Sequence, residues 1–294
     1  MGEILPELTL ACTRTEIMTT EGPRGEITQL GCLIARGADA AEFLQGQLSA
    51  DLVNLESGQL TLAGWHNPQG RIRCLLWAGP LETDWRLVTE TSQLDALATG
   101  LSRYVLRSEV SFAPDPDAQV VVVGDVSKPK SPQTSQWPLP GNAHQSILVG
   151  SQPDAQALEP QAGLAALVAA GVPWLDATLG DVFLGQSLNL DILTGISFTK
   201  GCYPGQEVLA RLHNFGRVKR RLLRFRFEDS PPAVGASITN REAEPRGQVV
   251  CSSSTELLAS VELRALSATL FVAGTDTPLT ELPLPYGIPE LEDA

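Results

Sequence analysis

The apolar periodicity of this chain changes character at Gly216, and that change constrains the fold more than any other feature. Before it, strand-like runs alternate with segments of helical spacing. After it come only short strand-like runs separated by turns, at 218–227, 234–239, 246–252, 257–263 and 268–272. Period-2 and period-3.6 patterns each put their apolar side chains on one face only at their own spacing, so one element cannot serve both. The C-terminal part therefore reads as a small β-barrel or sandwich, and the part before it as α+β.

Within the first part, 27–36 reads as a strand. Asp39, with Glu42 three residues on, has the pattern of a capping box opening a helix over 40–48, whose apolar positions are Ala40, Phe43, Leu44 and Leu48. Strands are expected at 58–66, 71–78 and 85–89, with Asn67-Pro68-Gln69-Gly70 as a turn. Ser92 and Asp95 suggest a second capping box ahead of the stripe Leu94, Leu97, Ala98 and Leu101. This strand–helix–strand cadence is that of a ferredoxin-like unit. Val120 to Val123 reads as a buried strand, 127–140 with its four prolines as an exposed connection, and Ala157 to Ala170 as a helix. No internal repeat or heptad is present.

A chain of 294 residues suggests two domains, or three. It is 43% hydrophobic and 19% charged, which excludes a disordered chain. Its net charge of −13 argues against nucleic acid coating the whole surface but not against a local basic site. The longest uncharged stretch near the middle, Pro160 to Leu175, is too short to span a membrane and is broken by Gly171 and Pro173. The beginning, MGEILPE, lacks the pattern of a signal peptide. Five scattered cysteines, with no CxxC, argue against a zinc site or a disulfide framework and fit a reducing cytoplasm. His66, His144 and His213 do not form a metal cluster by spacing.

The densest chemistry lies in 195–221, GISFTKGCYPGQEVLARLHNFGRVKRR. Lys200 sits two residues before Cys202, and a nearby ammonium lowers a thiol pKa. Glycines on either side would leave the sulfur accessible in a loop; the alternative is a packed, inert cysteine in a strand-to-helix turn. Gln206 and Glu207 open a short helix over 207–212, where they either bind a polar heterocycle or cap the helix. Seven of the 21 basic residues fall in the sixteen positions 211–226, among them Arg211, Arg217, Lys219, Arg220 and Arg221. They form either a solvated strand face or an anion site for phosphate, polyglutamate or RNA. In QGQLSAD (45–51), Gly46 implies a helix end or a close approach, and Asp51 a cap or a ligand group. His66 reads as a turn residue rather than a base. Phosphate loops, GxSxG and HExxH are absent.

KGCYPGQE (200–207) resembles the signature of the YgfZ family, the folate-binding branch of the glycine-cleavage T-protein superfamily. QGQLSAD, NLDILTGISFTKGCYPGQE (189–207) and PLPYGIPE (283–290) match further family segments in order, so the resemblance covers essentially the whole chain. It implies a ring of three domains around a folate channel: 26–112 with 181–216, a ferredoxin-like α/β domain; 1–25 with 113–180, a second α/β domain; and 217–294, a C-terminal β-barrel. It implies an accessory role in assembling or repairing iron–sulfur proteins, tRNA-modifying radical enzymes among them. Cys202 and Lys200 become the candidate catalytic residues, and Gln47, Asp51, Tyr203, Gln206, Glu207 and Arg211 the candidate cofactor-binding ones. Tetrahydrofolate is the implied cofactor. Iron–sulfur client proteins are the implied partners, with tRNA contact through Arg217, Lys219, Arg220 and Arg221.

The chain departs from the superfamily in two places. T-proteins carry an aspartate needed for aminomethyl transfer after the turn matching NPQGRI; here Arg73-Cys74-Leu75 follows, without a carboxylate. That counts against the alternative of an aminomethyltransferase-like one-carbon enzyme. The pterin-binding glutamate of the usual E-A-G motif is Ala169 here, ahead of Ala170-Gly171. Folate binding is thus expected to be weaker, or to use another carboxylate. A third reading, an RNA-binding module built on 211–226, predicts steeply salt-dependent binding.

Overall fold

The computed structural model describes residues 26–124, 131, 133–151 and 159–292. The expectations for 1–25, including Cys12, lie outside the described residues.

Strand β1 (Leu30–Arg36) leads into helix α1 (Ala40–Gln47), followed by β2 (Thr61–His66), β3 (Ile72–Leu81) and β4 (Asp84–Glu90), helix α2 (Leu94–Ser102) and β5 (Ser111–Pro114). The five strands form an antiparallel sheet in the order β2-β3-β4-β1-β5, one strand more than the ferredoxin cadence. Alternation assigns the two faces of this sheet. Leu30, Cys32 and Ile34 of β1 enter the central core, while Leu33 and Ala35 pack under α1 and α2 with Phe43, Leu44, Leu97 and Leu101. A bulge at Arg73 interrupts the β2–β3 register, which passes from Trp65↔Cys74 to His66↔Ile72.

Neither expected capping box forms. The Asp39 carboxylate accepts from the Glu109 N–H rather than from its own helix, so it ties α1 to the chain ahead of β5. Glu90, not Ser92, caps the turn before α2 by accepting from the Ser92 N–H.

Strands β6 (Gln119–Gly124), β7 (Ser135–Leu139) and β8 (Asn142–Gly150) make a second antiparallel sheet, ordered β6-β8-β7. The expected exposed connection over 127–140 is therefore corrected at its end: Ser135, Trp137 and Leu139 are buried. Prolines did not prevent it, because β7 is an edge strand that leaves Pro138 room. Buried Arg86 of β4 joins the two sheets, donating to Ser135 Oγ (2.9 Å) and to the Val149 carbonyl (2.7 Å).

Helix α3 (Pro160–Ala169) begins with proline at a position where no N–H is needed. It ends in a Schellman motif at Gly171 (φ +67°), with Gly171 and Val172 N–H donating to the Val168 and Leu167 carbonyls. Its buried Leu164, Leu167 and Val168 lie in the central core.

Helix α4 (Gln206–Phe215) precedes β9 (Arg220–Arg226), β10 (Ser237–Thr239), β11 (Pro245–Ser252), β12 (Glu256–Glu262), β13 (Phe271–Val272) and β14 (Thr280–Leu282); a last turn, α5, spans Pro289–Glu292. The six strands run β13-β10-β11-β12-β9-β14. This is a curled half-barrel rather than the expected closed barrel. β13 and β14 are its edges, and among the described residues an isolated bridge, Phe271↔Pro278, ties β13 to the segment just ahead of β14 without pairing the two strands. Strands of two and three residues are too short to seal a ladder. One face holds its own core (Leu223, Phe225, Leu257, Val261), while Leu222, Val250 and Leu258 join the central core shared with the other sheets.

Candidate functional site

Helix α1 ends where its last carbonyls lack partners, a position that favours a cation. Lys200 supplies one. Its Nζ donates to the carbonyls of Gln45, Leu48 (2.8 Å) and Ala50 (2.8 Å), so all three N–H groups are engaged. The ammonium also lies 5.3 Å from the Tyr203 ring centroid. Burial lowers the Lys200 pKa to about 8, against a pull upward from Asp51. Lys200 thus fastens the signature loop to the end of α1. Asp51 accepts from Gln45 Nε2 (2.9 Å) and from the Val53 N–H (3.2 Å), and these hydrogen bonds hold its carboxyl below the usual range, with Lys200 adding to the effect. Gln47 Oε1 is buried and accepts no hydrogen bond.

Ser49, within QGQLSAD but not marked out by any motif, stitches the same corner. Its hydroxyl donates to the Gly195 carbonyl (2.5 Å) and accepts from the Gly64 N–H (2.8 Å), and its carbonyl accepts from the Ser197 N–H (2.8 Å). Tyr203 is buried, and its hydroxyl donates to the Ser197 carbonyl (3.1 Å). Burial pushes its pKa to about 12.

Between these anchors Cys202 is exposed, and a Cβ at Gly201 would face open space. Cys32, Cys74 and Cys251 are buried, and burial pushes each thiol to about 12. At Gly205 (φ +82°) the loop presses on the Asn67–Gly70 turn. A Cβ there would lie 2.6 Å from the Asn67 carbonyl and 2.8 Å from the Gly70 Cα. Helix α4 starts from this glycine. Gln206 is half-buried with Nε2 3.5 Å from the Lys200 carbonyl, while Glu207 and Arg211 are exposed. Neither Gln206 nor Glu207 caps the helix with its side chain.

The turn brings in a carboxylate that motif reading missed. Asp181, from a segment 114 residues away, accepts from Asn67 Nδ2 (2.6 Å) and lies 3.5 Å from Arg73 Nε. Its backbone is left-handed (φ +61°), a conformation a non-glycine residue adopts at a cost, and the one local signal it offers is the pairing of Gly180 with Asp181. Arg73, displaced by the bulge, also stacks over Trp65 at 5.4 Å. His66 is not an exposed turn residue: it ends β2, buried and neutral. Its ring lies against the bare Cα of Gly64, its Nε2 has no partner, and burial lowers its pKa to about 4.

The basic stretch is dispersed by the fold. Arg221 is 3% exposed and bound to Asp191 (2.7 Å) and Glu290 (2.8 Å), so it is not available to tRNA. Arg220 pairs with Glu262, and Arg224 with Glu256. Arg217 and Lys219 stay exposed. Ala169, the last residue of α3, presents only a methyl group. The neighbouring Gly171 is covered by Tyr286, whose hydroxyl donates to the Gly171 carbonyl (2.7 Å). Among the described residues no three His, Cys, Asp or Glu side chains group as metal ligands, and no helix is long and apolar enough to cross a membrane.

No family model matches the chain. Among curated proteins it is similar to the tRNA-modifying protein YgfZ of Yersinia pseudotuberculosis serotype O:1b (strain IP 31758), 33% identical over 215 residues, 63% of this chain and 65% of the relative. The protein of the same name from Yersinia pestis (strain Pestoides F) is 32% identical over the same shares. An uncharacterized protein of Haemophilus influenzae is 29% identical over 228 residues, 72% of this chain and 76% of that protein. The matched region thus spans just under two thirds of the Yersinia proteins. Among solved structures, glycine cleavage system aminomethyltransferase T from Bartonella henselae superimposes with a TM-score of 0.57 over 90% of this chain and 87% of that one, at 16% identity. Signature, similarity over 63% of the chain and fold therefore agree: this chain is a homologue of the YgfZ proteins, with a fold like that of aminomethyltransferase T.

Proposed function

We propose that this protein is a folate-binding accessory factor for the assembly or repair of iron–sulfur proteins, including tRNA-modifying radical enzymes, and that it acts through Cys202. The observation that carries the reading is the contrast among the described cysteines: three are buried with thiols raised to about 12, and Cys202 stands exposed on a loop anchored by Lys200, Tyr203 and Gly205. Lys200 serves as a positioning residue in this reading, since its N–H groups are engaged by carbonyls. A single thiolate does not hold a stable cluster, so a client or a small thiol would complete the ligand set. The reading carries with it the three-domain arrangement and a cytoplasmic location.

Tetrahydrofolate, which would supply a one-carbon carrier, fits the residues present in one respect and not in another. Gln47 Oε1 is a buried acceptor without a donor, and Asp51 is an ionised acceptor beside it in sequence; both suit the N–H groups of a pterin. Ala169 offers no acceptor.

The test is complementation by Cys202→Ala in a host lacking its own homologue, read as the content of radical-enzyme-modified tRNA nucleosides. Loss of function with an unchanged melting temperature is expected, and full activity of the well-expressed variant would overturn the reading. Calorimetric titration with tetrahydrofolate should saturate; absence of binding removes folate from it.

A second reading, one-carbon transfer, is favoured by one observation: Asp181 brings to the turn the carboxylate that β3 lacks. Arg73 beside it opposes that role by neutralising the charge. Methylene transfer to tetrahydrofolate from an amine donor, abolished in Asp181→Asn, would establish it.

A further inference from the structure

Two features away from Cys202 lie within a few residues of each other along the chain at the C-terminal end of α4. The first is a groove of about 590 Å³ lined by Arg217, Lys219, Arg264, Glu262 and Glu290, with Val218 and Leu263 as apolar wall. Its carboxylates are already engaged. Glu262 lies 2.9 Å from Arg220, 3.0 Å from Arg264 and 3.8 Å from Arg246, so three guanidinium groups share one carboxylate. Glu290 is held by buried Arg221. Arg217 and Lys219 make no ion pair among the described residues, and Arg264 is 78% exposed. In a chain of net charge −13 this is a local excess of cations.

The second feature is Phe215, the last residue of α4, which is 88% exposed. A lone exposed apolar residue is ordinary. This one stands two residues from Arg217, at most about 7 Å along the chain. An exposed aromatic side chain beside exposed cations is what a single-stranded nucleic acid requires: a surface on which an unpaired base stacks, and positive charge for the flanking phosphates. A duplex, whose bases are already stacked, would use only the charge.

The geometry points to single-stranded RNA binding at this end of the molecule, with a base on Phe215 and adjacent phosphates held by Arg217, Lys219 and Arg264. The relatives' name, tRNA-modifying protein, selects RNA over DNA as the strand. The site differs from the sequence expectation, which included Arg220 and Arg221 and omitted Phe215 and Arg264. It does not depend on the role of Cys202.

The experiment is fluorescence anisotropy of the full chain with a labelled oligoribonucleotide of about 12 residues, between about 50 and 200 mM salt. Saturable, salt-dependent binding is expected. Arg217→Ala with Lys219→Ala should weaken it at least tenfold at low salt and reduce the log–log salt slope by about 1.4, or about 0.7 per lost phosphate contact. Phe215→Ala should weaken it about fivefold or more and leave the slope unchanged. The charge-conserving pair Arg217→Lys with Lys219→Arg should keep the slope. All substituted positions are exposed, and circular dichroism confirms that each variant is folded. Absence of saturable binding at low salt, indifference to the double alanine variant, or stronger binding of duplex RNA or of DNA of the same sequence would each overturn the assignment.

Discussion

At the scale of single residues, two polar side chains drawn out of water behave in opposite ways. Lys200 is half-buried and satisfied by three carbonyls, so its charge holds backbone together. His66 is buried and unsatisfied at Nε2, so it is held neutral. Its pKa falls from 6.5 unfolded to about 4 folded. The unfolded chain therefore binds the proton more readily between these values, and stability that is complete above pH 6.5 is lost as the pH falls toward 4. The loss attributable to this side chain should approach about 3 kcal/mol by pH 4. Urea unfolding of wild type and His66→Asn as a function of pH checks this. The difference between the two should shrink below pH 6.5, and a variant that loses as much stability as wild type over that range would show that His66 is not the group responsible.

At the scale of elements, the signature loop owes its position to a glycine rather than to a charged pair. Gly205 both opens α4 and lets the loop touch the Asn67–Gly70 turn, and it does so with positive φ. An alanine there meets a backbone carbonyl, which cannot rotate away as a side-chain end could. Gly205→Ala should cost about 2 kcal/mol or more, by strain and by displacement of the turn. Gly201→Ala, four residues earlier and facing open space, should change stability by less than about 0.5 kcal/mol. Denaturant unfolding of the pair decides the matter; equal costs would mean that the loop is not seated by the Gly205 contact. The motif reading found both glycines but could not rank them, because the clash that separates them comes from a turn more than 130 residues earlier in the chain.

At the scale of the whole molecule, Arg221 illustrates how tertiary structure reassigns a residue. In sequence it belongs to the basic run 217–221. In the fold its strand position turns it inward, where it joins the half-barrel to the 185–193 segment through the Gln186 carbonyl and Asp191, and to the C-terminal tail through Glu290. Removing one member of a buried ion cluster leaves the others uncompensated, so Arg221→Met should cost about 3–5 kcal/mol. Arg217→Met, at an exposed position without an ion pair among the described residues, should stay within about 0.5 kcal/mol. Thermal or denaturant unfolding would reveal a mild Arg221→Met phenotype if the cluster were dispensable.

The sequence by itself determined the elements and the signature. Runs of apolar residues placed four of the five strands of the first sheet within a few residues, because β1 to β4 are buried on both faces; β5, short and half-exposed, gave no such run. The run KGCYPGQE identified the family, because eight residues in that order are specific without any knowledge of their contacts. Only the tertiary structure decided which polar groups meet. Lys200 turned to the end of α1, Asp181 arrived beside Asn67, Arg221 went inward, and the C-terminal sheet stayed open at β13 and β14. The physical reason is common to all four. Hydrophobic period is a local property of the chain, whereas hydrogen bonds, ion pairs and ladder closure depend on groups far apart in sequence whose distances exist only once the chain has folded.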